Sequence, residues 1–360
     1  MLLHKKSLYV LGDIHFSSMN EWSEEAGDLF INWFENLVVE PESELILEGD
    51  LTEKDVNSGN VIRQLERFFN ACQRKFLRTY AVVGNHDLKL FKNRPQISFI
   101  YAKEKKGIQV IEELSTFTTL NGFKVLFMPF LRVEETTLNE FYSNLPEEYY
   151  QEEYDLVVGH FNKKSDCNVF LFEGADISRL KYKHIMLGHI HTRWDKDYLG
   201  SVWAQKISEI DPINPRIIGC LKHDDMGNII RDDILIPEFV KYVDVTYPDP
   251  LPPKEPNKIH IYTAANCPNK GLAESCYKGE HIRGVTNIKI DQNGGVALQG
   301  GSDETFVFTN FKVAFDSMIK EQKLRVSRGA FAIIAGLFAE EKVAPKVEPE
   351  PEAEAEKEPE

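Results

Sequence analysis

Apolar residues along the first part of this chain alternate between two textures, short unbroken runs and stripes at helical spacing. Ser7 to Leu11, Leu45-Ile46-Leu47 and Arg78 to Val83 are runs too short for helices and rich in β-branched or leucine side chains, so they predict buried strands. Between them, Leu29, Trp33 and Leu37 lie three to four apart in Glu24 to Leu37, and Val61, Leu65, Phe68 and Phe69 do the same further on. Both spacings predict helices with one apolar face against a sheet. Strand, helix, strand, helix, strand is the order of a parallel sheet with right-handed crossovers.

The texture then changes. Phe117 to Phe130 predicts a β-hairpin turning at Asn121-Gly122, and Val133 to Leu145 predicts a helix. Asp155 to Val158 and His184 to Leu187 are further strand runs, and Ile217–Leu221 and Ile229–Ile236 flank a turn near Met226-Gly227-Asn228. A mainly parallel half followed by a β-rich half predicts an α/β chain with two packed sheets, or one mixed sheet pair covered by helices. Residues 1–247 form this larger domain. Pro248-Asp249-Pro250-Leu251-Pro252-Pro253 can continue neither strand nor helix, so 248–256 is expected to be a linker. Residues 257–309 are expected to form a small α+β module. Apolar stripes at Phe311, Phe315, Met318 and at Phe331, Ile334, Leu337, Phe338 predict helices within 310–340.

Charge refines this picture at one end. The net charge is −15, and the segment from Glu341 onward, with eight Glu and three Lys, supplies −5 of it. This Pro-Glu-Ala tract has almost no apolar side chains, so 341–360 is expected to be a disordered acidic tail. An acidic body argues weakly against nonspecific nucleic-acid binding, although local patches and bound cations decide that question. The five cysteines show no Cys-x-x-Cys spacing, which speaks against a thiolate metal site and for idle thiols in a reducing compartment. No run is long enough to span a membrane, and Met1 to Lys6 turns polar too soon for a signal peptide, so a cytoplasmic protein is expected.

The chemistry sits where the runs end. Asp13-x-His15, Gly49-Asp50, Gly84-Asn85-His86-Asp87, Gly159-His160 and Gly188-His189-x-His191 each follow an apolar strand. Any one of these alone reads as an ordinary turn with a satisfied surface histidine. Five in one chain, at the strand ends where open α/β sheets hold ligands, read as one site. Imidazole, carboxylate and one amide without thiolate suit Mn²⁺, Fe, Zn²⁺ or Ni²⁺ better than Ca²⁺ or Mg²⁺. The set is too large for a single ion with open positions, and two metals about 3.5–4 Å apart are the natural count.

In order and spacing these five motifs resemble the calcineurin-like metallophosphoesterases, over roughly residues 7 to 225, and within them the SbcD-type nuclease subunit of double-strand-break repair, including its bacteriophage counterparts. Tyr198-Leu199-Gly200-Ser201-Val202-Trp203 is similar to a segment those nucleases carry. The resemblance implies a four-layer fold, two mixed β-sheets sandwiched by helices, with a small C-terminal α+β capping domain. It implies that Asp13, His15, Asp50 and His191 hold one ion and Asp50, Asn85, His160 and His189 the other, with Asp50 bridging and Mn²⁺ as the metal. It further implies DNA as substrate, a metal-bridging hydroxide as nucleophile, an SbcC-type coiled-coil ATPase gripped by the C-terminal helices, a homodimer, and a bacterial host cell if the gene is a phage's. Two departures stand out. Val202 occupies a position that is often proline, and Glu53 one that is usually aspartate or histidine; neither is expected to touch a metal ligand.

His86, next to the amide ligand Asn85, is free, and in the family this histidine protonates the leaving oxygen or stabilises the pentavalent state. Asp87 either orients His86 or caps the next segment. Lys89, Lys92, Arg94, Lys163, Lys164, Arg193 and Lys196 flank three of the loops and are candidates to track a phosphodiester backbone, against a reading as solvated surface charge. Two other functions stay open, a phosphatase or small-molecule phosphodiesterase on the same scaffold, and a binding scaffold that has lost its metals.

Overall fold

The computed structural model describes residues 6–18, 21–53, 58–91, 94–164, 174–193, 196–205, 209, 214–290, 296–299 and 305–307. The chain divides into two compact units, Met1–Phe306 and Val307–Glu360, and of the second only Val307 is described. The expected helices in 310–340 and the tail at 341–360 therefore lie outside the described residues.

The elements follow in chain order. The first half holds β1 (Ser7–Leu11), α1 (Glu21–Asn36), β2 (Glu44–Leu47), α2 (Gly59–Lys75), β3 (Arg78–Val82), β4 (Leu88–Phe91), β5 (Arg94–Ile97) and β6 (Ile108–Ile111). Next come β7 (Ser115–Thr118), β8 (Lys124–Met128), α3 (Glu135–Ser143), α4 (Glu147–Gln151), β9 (Glu153–His160) and β10 (Lys181–Gly188). The chain continues through β11 (Ile217–His223), β12 (Ile229–Arg231), β13 (Ile234–Leu235), β14 (Val240–Thr246), β15 (Ile259–Ala265), α5 (Lys270–Cys276), β16 (His281–Ile290), β17 (Val296–Gln299) and β18 (Thr305–Val307).

One sheet runs β12-β11-β1-β2-β3-β6, with β13 paired to β11, and a second runs β10-β9-β8-β7. β1, β2, β3 and β6 are parallel, as are β8, β9 and β10. Their carboxyl ends thus gather the loops that carry all five motifs. Alternation along each strand makes the layers. Leu8, Val10, Ile46, Tyr80 and Val82 face Val125, Phe127, Leu156, Val158 and Met186 in one buried cluster between the sheets. The opposite faces bury Leu45, Leu47 and Ala81 with Phe30, Phe34, Leu65 and Phe68 of α1 and α2, and Leu126 and Val157 with Leu138 and Tyr142 of α3. The fold is a four-layer α/β sandwich, two mixed sheets with helices on both outer faces, as expected.

Local differences from the sequence pattern have physical reasons. In α1 the buried face is Ala26, Phe30, Ile31 and Phe34, while Leu29, Trp33 and Leu37 are only partly covered. Both stripes are apolar at helical spacing, and the wholly apolar Phe30 and Phe34 take the sheet while Trp33, with a ring N–H to keep hydrated, stays at its margin. The β4–β5 hairpin has little signature in the sequence, because its Leu-Lys-Leu-Phe alternation is short and lies next to the polar Gly84-Asn85-His86-Asp87 loop. β14, expected in the larger domain, pairs in parallel with β15, which pairs in parallel with β16. Residues 248–256 therefore connect two neighbouring strands of one sheet. Backbone pairing over β14, invisible to composition, draws that strand into the smaller sheet. Among the described residues no helix is long and apolar enough to cross a membrane, and Cys72, Cys220, Cys267 and Cys276 are free thiols.

Candidate metal centre

The loop backbones bring the motif side chains together in an unusual conformation. Asp13, His15, Asp50 and His189 all have positive φ, at 47°, 55°, 47° and 82°. For residues with a Cβ this region costs on the order of 1–3 kcal/mol each, and such clusters mark functional sites. The loops also interlock through glycine. A Cβ on Gly84 would lie 2.2 Å from Asp50 Oδ1 and 2.3 Å from the Asp50 nitrogen. Close approach is thus what demands glycine at this position, since its φ is not positive.

Asp50 is the hub. Its Oδ2 lies 3.5 Å from His15 Nε2 and 3.2 Å from His160 Nε2, while Oδ1 accepts the His86 backbone N–H at 2.8 Å. On one side, Asp13, His15, Asp50 and His191 offer ligand atoms all within 4.8 Å of one another. On the other, Asn85 Oδ1 lies 2.9 Å from His160 Nε2 and 3.0 Å from His189 Nδ1. The two groups expected from sequence are both assembled, sharing Asp50.

Three imidazoles are held by the nitrogen that faces away from the cluster. His160 Nδ1 donates to the Glu48 carbonyl at 3.0 Å, His15 Nδ1 to Glu53 Oε2 at 3.1 Å, and His191 Nδ1 to Glu209 Oε1 at 3.0 Å. Fixing Nδ1–H this way aims Nε2 inward, the usual support of a metal-binding histidine. His15 Nε2 is buried and has no hydrogen-bond partner. An orphaned imidazole nitrogen facing two carboxylates fits a cation between them, so the donor set fits divalent metal.

The charges respond to this crowding. Burial raises the Asp50 carboxyl, but the imidazoles of His160, His15 and His86 outweigh it and hold the group well below the usual range. Burial works against a charged His160, yet Asp50, Asp13 and Asp87 lift its pKa to about 9. Asp87 is pushed up to about 7, by burial first and by Asp50 second, against the pull of the Gly84 and Thr52 amides.

Asp87 does not orient His86. Its carboxylate is fully buried and accepts from the Gly84 N–H at 3.0 Å and the Thr52 N–H at 3.1 Å, bracing two motif loops against each other. The carboxylate on His86 is Glu53, whose Oε1 accepts from Nδ1 of His86 while its Oε2 holds His15. Glu53 therefore does touch a proposed ligand, contrary to the expectation from sequence. Val202 also has a role a proline could not fill, because its N–H donates to the Asp13 carbonyl at 3.3 Å. Sequence reasoning missed Glu209 and also Glu135, which lies 3.5 Å from His189 Nε2. No spacing or motif marks either glutamate.

The basic residues divide. Lys163 pairs with Asp197 and Lys164 with Asp176, at 3.8 Å in the second case, and Arg193 donates to the Pro215 carbonyl at 3.0 Å. The Lys196 carbonyl accepts from Arg231. Lys89 lies on β4 and Arg94 on β5, and Lys92 is outside the described residues.

A family model described as calcineurin-like phosphoesterase matches residues 6–193, just over half of the chain. No curated protein matches. Among solved structures, phosphopantetheinyl hydrolase from Mycobacterium tuberculosis is 12% identical with a TM-score of 0.34, over 55% of this chain and 90% of that one. A protein of unknown function, AQ665 from Aquifex aeolicus, is 16% identical with a TM-score of 0.28, over 49% of this chain and 88% of that one.

Proposed function

This chain belongs to the calcineurin-like phosphoesterase family, and we propose that within it the protein is a two-metal nuclease of the SbcD type that hydrolyses DNA phosphodiester bonds. The observation that carries the two-metal reading is the Asp50 carboxylate, one oxygen of which reaches both donor groups. Asp13, His15, Asp50 and His191 would hold one ion and Asp50, Asn85, His160 and His189 the other, with Mn²⁺ the expected metal. When bound, the ions neutralise phosphoryl charge and acidify a water for attack on phosphorus.

The protein's own groups divide the remaining work. Glu53 fixes His86 through Nδ1, which leaves Nε2 to give a proton to the departing oxygen. The hydrogen bond that the His86 backbone N–H donates to Asp50 Oδ1 ties the residue carrying that imidazole to the proposed bridge, so acid and metals keep one geometry. Asp87 holds the loops that carry both.

A nucleic-acid substrate is favoured by residues 88–103, which carry Lys89, Lys92, Arg94 and Lys103 and no acidic residue in a chain of net charge −15. The ion pairs of Lys163 and Lys164 favour a second reading, a small-molecule phosphodiesterase, since neither cation is left to solvent alone. An SbcC-type ATPase partner and a homodimer belong to the same nuclease proposal. Purified protein with Mn²⁺ is to be assayed on linear DNA, on bis(p-nitrophenyl) phosphate and on p-nitrophenyl phosphate. Cleavage of DNA and of the diester supports the nuclease. Turnover of the small esters with intact DNA supports the second reading, and no Mn²⁺-dependent turnover overturns both.

A further inference from the structure

Antiparallel β11 enters the larger sheet at the end where parallel β1 leaves it, with Val10 opposite Gly219. The residue just before β11 is therefore delivered to the pole that carries the motif loops. That residue is Arg216, and its backbone is fixed there, since the Ile236 N–H donates to its carbonyl at 2.9 Å. Arg193, two residues past His191, donates to the neighbouring Pro215 carbonyl at 3.0 Å, a second tie between the two segments.

The Arg216 guanidinium closes a ring of hydrogen bonds around His191. Its Nη1 donates to the Ser201 hydroxyl at 2.7 Å and to the Ser201 carbonyl, and its Nη2 donates to the Glu209 carbonyl at 2.9 Å. Ser201 in turn donates its N–H to the His191 carbonyl at 3.1 Å, which Arg216 Nη1 also approaches at 3.5 Å. Glu209 completes the ring from the other side, where its Oε1 accepts from His191 Nδ1 at 3.0 Å and its Oε2 from the Gln205 N–H at 2.7 Å. The turn beneath His191 is tight. Gly200 has a φ of +76°, and a Cβ there would stand 2.9 Å from the His191 carbonyl oxygen. One planar cation thus holds the backbones of both partners whose side chains meet at Nδ1.

An imidazole binds a cation better when its outer nitrogen is held by a carboxylate, which fixes the ring and raises the basicity of the inner nitrogen. That benefit depends on Glu209 staying in place, and Glu209 belongs to none of the strands and helices named above. A side chain has to anchor it. Arginine suits the task because its rigid fork of five donors reaches several acceptors at once, whereas a lysine ammonium is a compact charge on a flexible stem.

We propose that Arg216 is a positioning residue of the metal centre, setting the Glu209 carboxylate against His191. The affinity for the ion held by Asp13, His15, Asp50 and His191 then depends on a side chain that offers it no ligand. The inference rests on reading that centre as a metal site and adds a residue that tunes it.

Calorimetric titration of the full-length protein with Mn²⁺ tests this, using Arg216→Met, Arg216→Lys, Glu209→Gln and both Arg216 changes combined with Glu209→Gln. Arg216→Met should weaken one Mn²⁺ site about 10- to 100-fold, the range for losing an outer support of a ligand. Arg216→Lys, which keeps charge and stem but not the fork, should remain about tenfold weaker than the wild type. The effects should not multiply. Once Glu209 is glutamine, either change at Arg216 should cost no more than about twofold further, because both residues act in one network. An arginine that served the fold alone would lower the melting temperature and leave the Mn²⁺ affinity of the folded protein unaltered. Should Arg216→Met not fold, Arg216→Lys decides through the same cycle.

Wild-type affinity in a folded Arg216 variant, or effects that multiply in full with Glu209→Gln, overturns the inference while the metal reading stands. A wild type that takes up no Mn²⁺ overturns the metal reading, and the role of Arg216 with it.

Discussion

Two buried glutamates, Glu44 and Glu48, stand at opposite ends of β2, point between the same two sheets, and have opposite surroundings. Both are 0% exposed. Glu44 accepts from the Tyr80 hydroxyl at 2.7 Å, the Leu120 N–H at 3.2 Å and the Asn121 N–H at 2.7 Å. Glu48 has no hydrogen bond on either oxygen, and burial raises its carboxyl well above the ordinary range. At the first end the chain satisfies its own polar group, so the Glu44 carboxylate latches the β7–β8 hairpin onto the neighbouring sheet. At the other end polar atoms such as Glu48 Oε1 and Oε2 and His15 Nε2 stay orphaned while backbone strain accumulates in the loops beside them. The Glu44 carboxylate at one pole is satisfied by the fold, whereas Glu48 and His15 Nε2 at the other are not. Substitutions at the two poles should therefore separate chemistry from stability.

The sharpest separation is expected at His86. His86→Ala removes a proton donor without removing a proposed ligand, so turnover should fall about 10²- to 10⁴-fold, the usual contribution of a general acid. Metal content and melting temperature should hold. Metal analysis by mass spectrometry on the same preparation checks this, and loss of metal together with activity would mean that His86 is a ligand. Glu209→Gln acts one step further out, on the carboxylate that holds His191 Nδ1. Losing such a support typically weakens metal binding about 10- to 100-fold. Calorimetric titration with Mn²⁺ should show a weaker site, and an unaltered titration would detach Glu209 from the centre.

The layers were legible because the chain repeats two simple periods. Runs such as Leu45-Ile46-Leu47 and stripes such as Val61, Leu65 and Phe68 report burial directly, and five polar loops after five runs report the pole that gathers them. Supports were not legible. Glu209 lies beyond every motif and meets His191 only through the folded path of the chain, and Glu53 looks like a neutral departure until its two oxygens are seen to hold His15 and His86. Asp87 misleads for the opposite reason. Its neighbour in sequence is His86, but its partners in space are the Gly84 and Thr52 amides. Adjacency in sequence fixes which loop a carboxylate belongs to, not which way it turns.

A smaller effect tests whether the unsatisfied pole holds a proton in place of metal. His160 has its pKa lifted to about 9, with Nδ1–H committed to the Glu48 carbonyl and Nε2 facing Asp50 and Asn85. A metal at that nitrogen must displace the proton. Apparent Mn²⁺ affinity should therefore rise about tenfold per pH unit toward the lifted pKa and level off above it. Calorimetry in two buffers of different ionisation heat reads the released proton directly. The same shift carries a stability consequence of known sign. A histidine whose folded pKa is raised contributes stability that is present below its unfolded value and is lost as pH rises through the folded one, so metal-free protein should weaken on His160's account toward about pH 9. Affinity that does not change with pH would remove the proton from the centre.

The smallest effects return to the two glutamates, where the signs should oppose each other. Glu44→Ala leaves two backbone N–H groups and the Tyr80 hydroxyl buried without their acceptor, a loss of about 1–3 kcal/mol. Turnover by the fraction that remains folded should be that of the wild type, because the latch lies at the far end of β2. Glu48→Gln substitutes a neutral group of the same shape for a carboxyl whose raised pKa already favours the neutral form, so its cost near the acid end should be smaller than that of Glu44→Ala. The sign then follows from proton linkage. A carboxyl raised in the folded state binds its proton more tightly there than in the unfolded chain, so its contribution is most favourable at low pH and diminishes as pH climbs from the unfolded value toward the folded one. Glutamine has no such dependence. Chemical denaturation of both proteins in chelator across that interval should show Glu48→Gln gaining on the wild type as pH rises, while Glu44→Ala stays below it throughout. If Glu48→Gln instead falls behind with rising pH, Glu48 is ionised and partnered in the native protein, and the contrast between the two poles is lost.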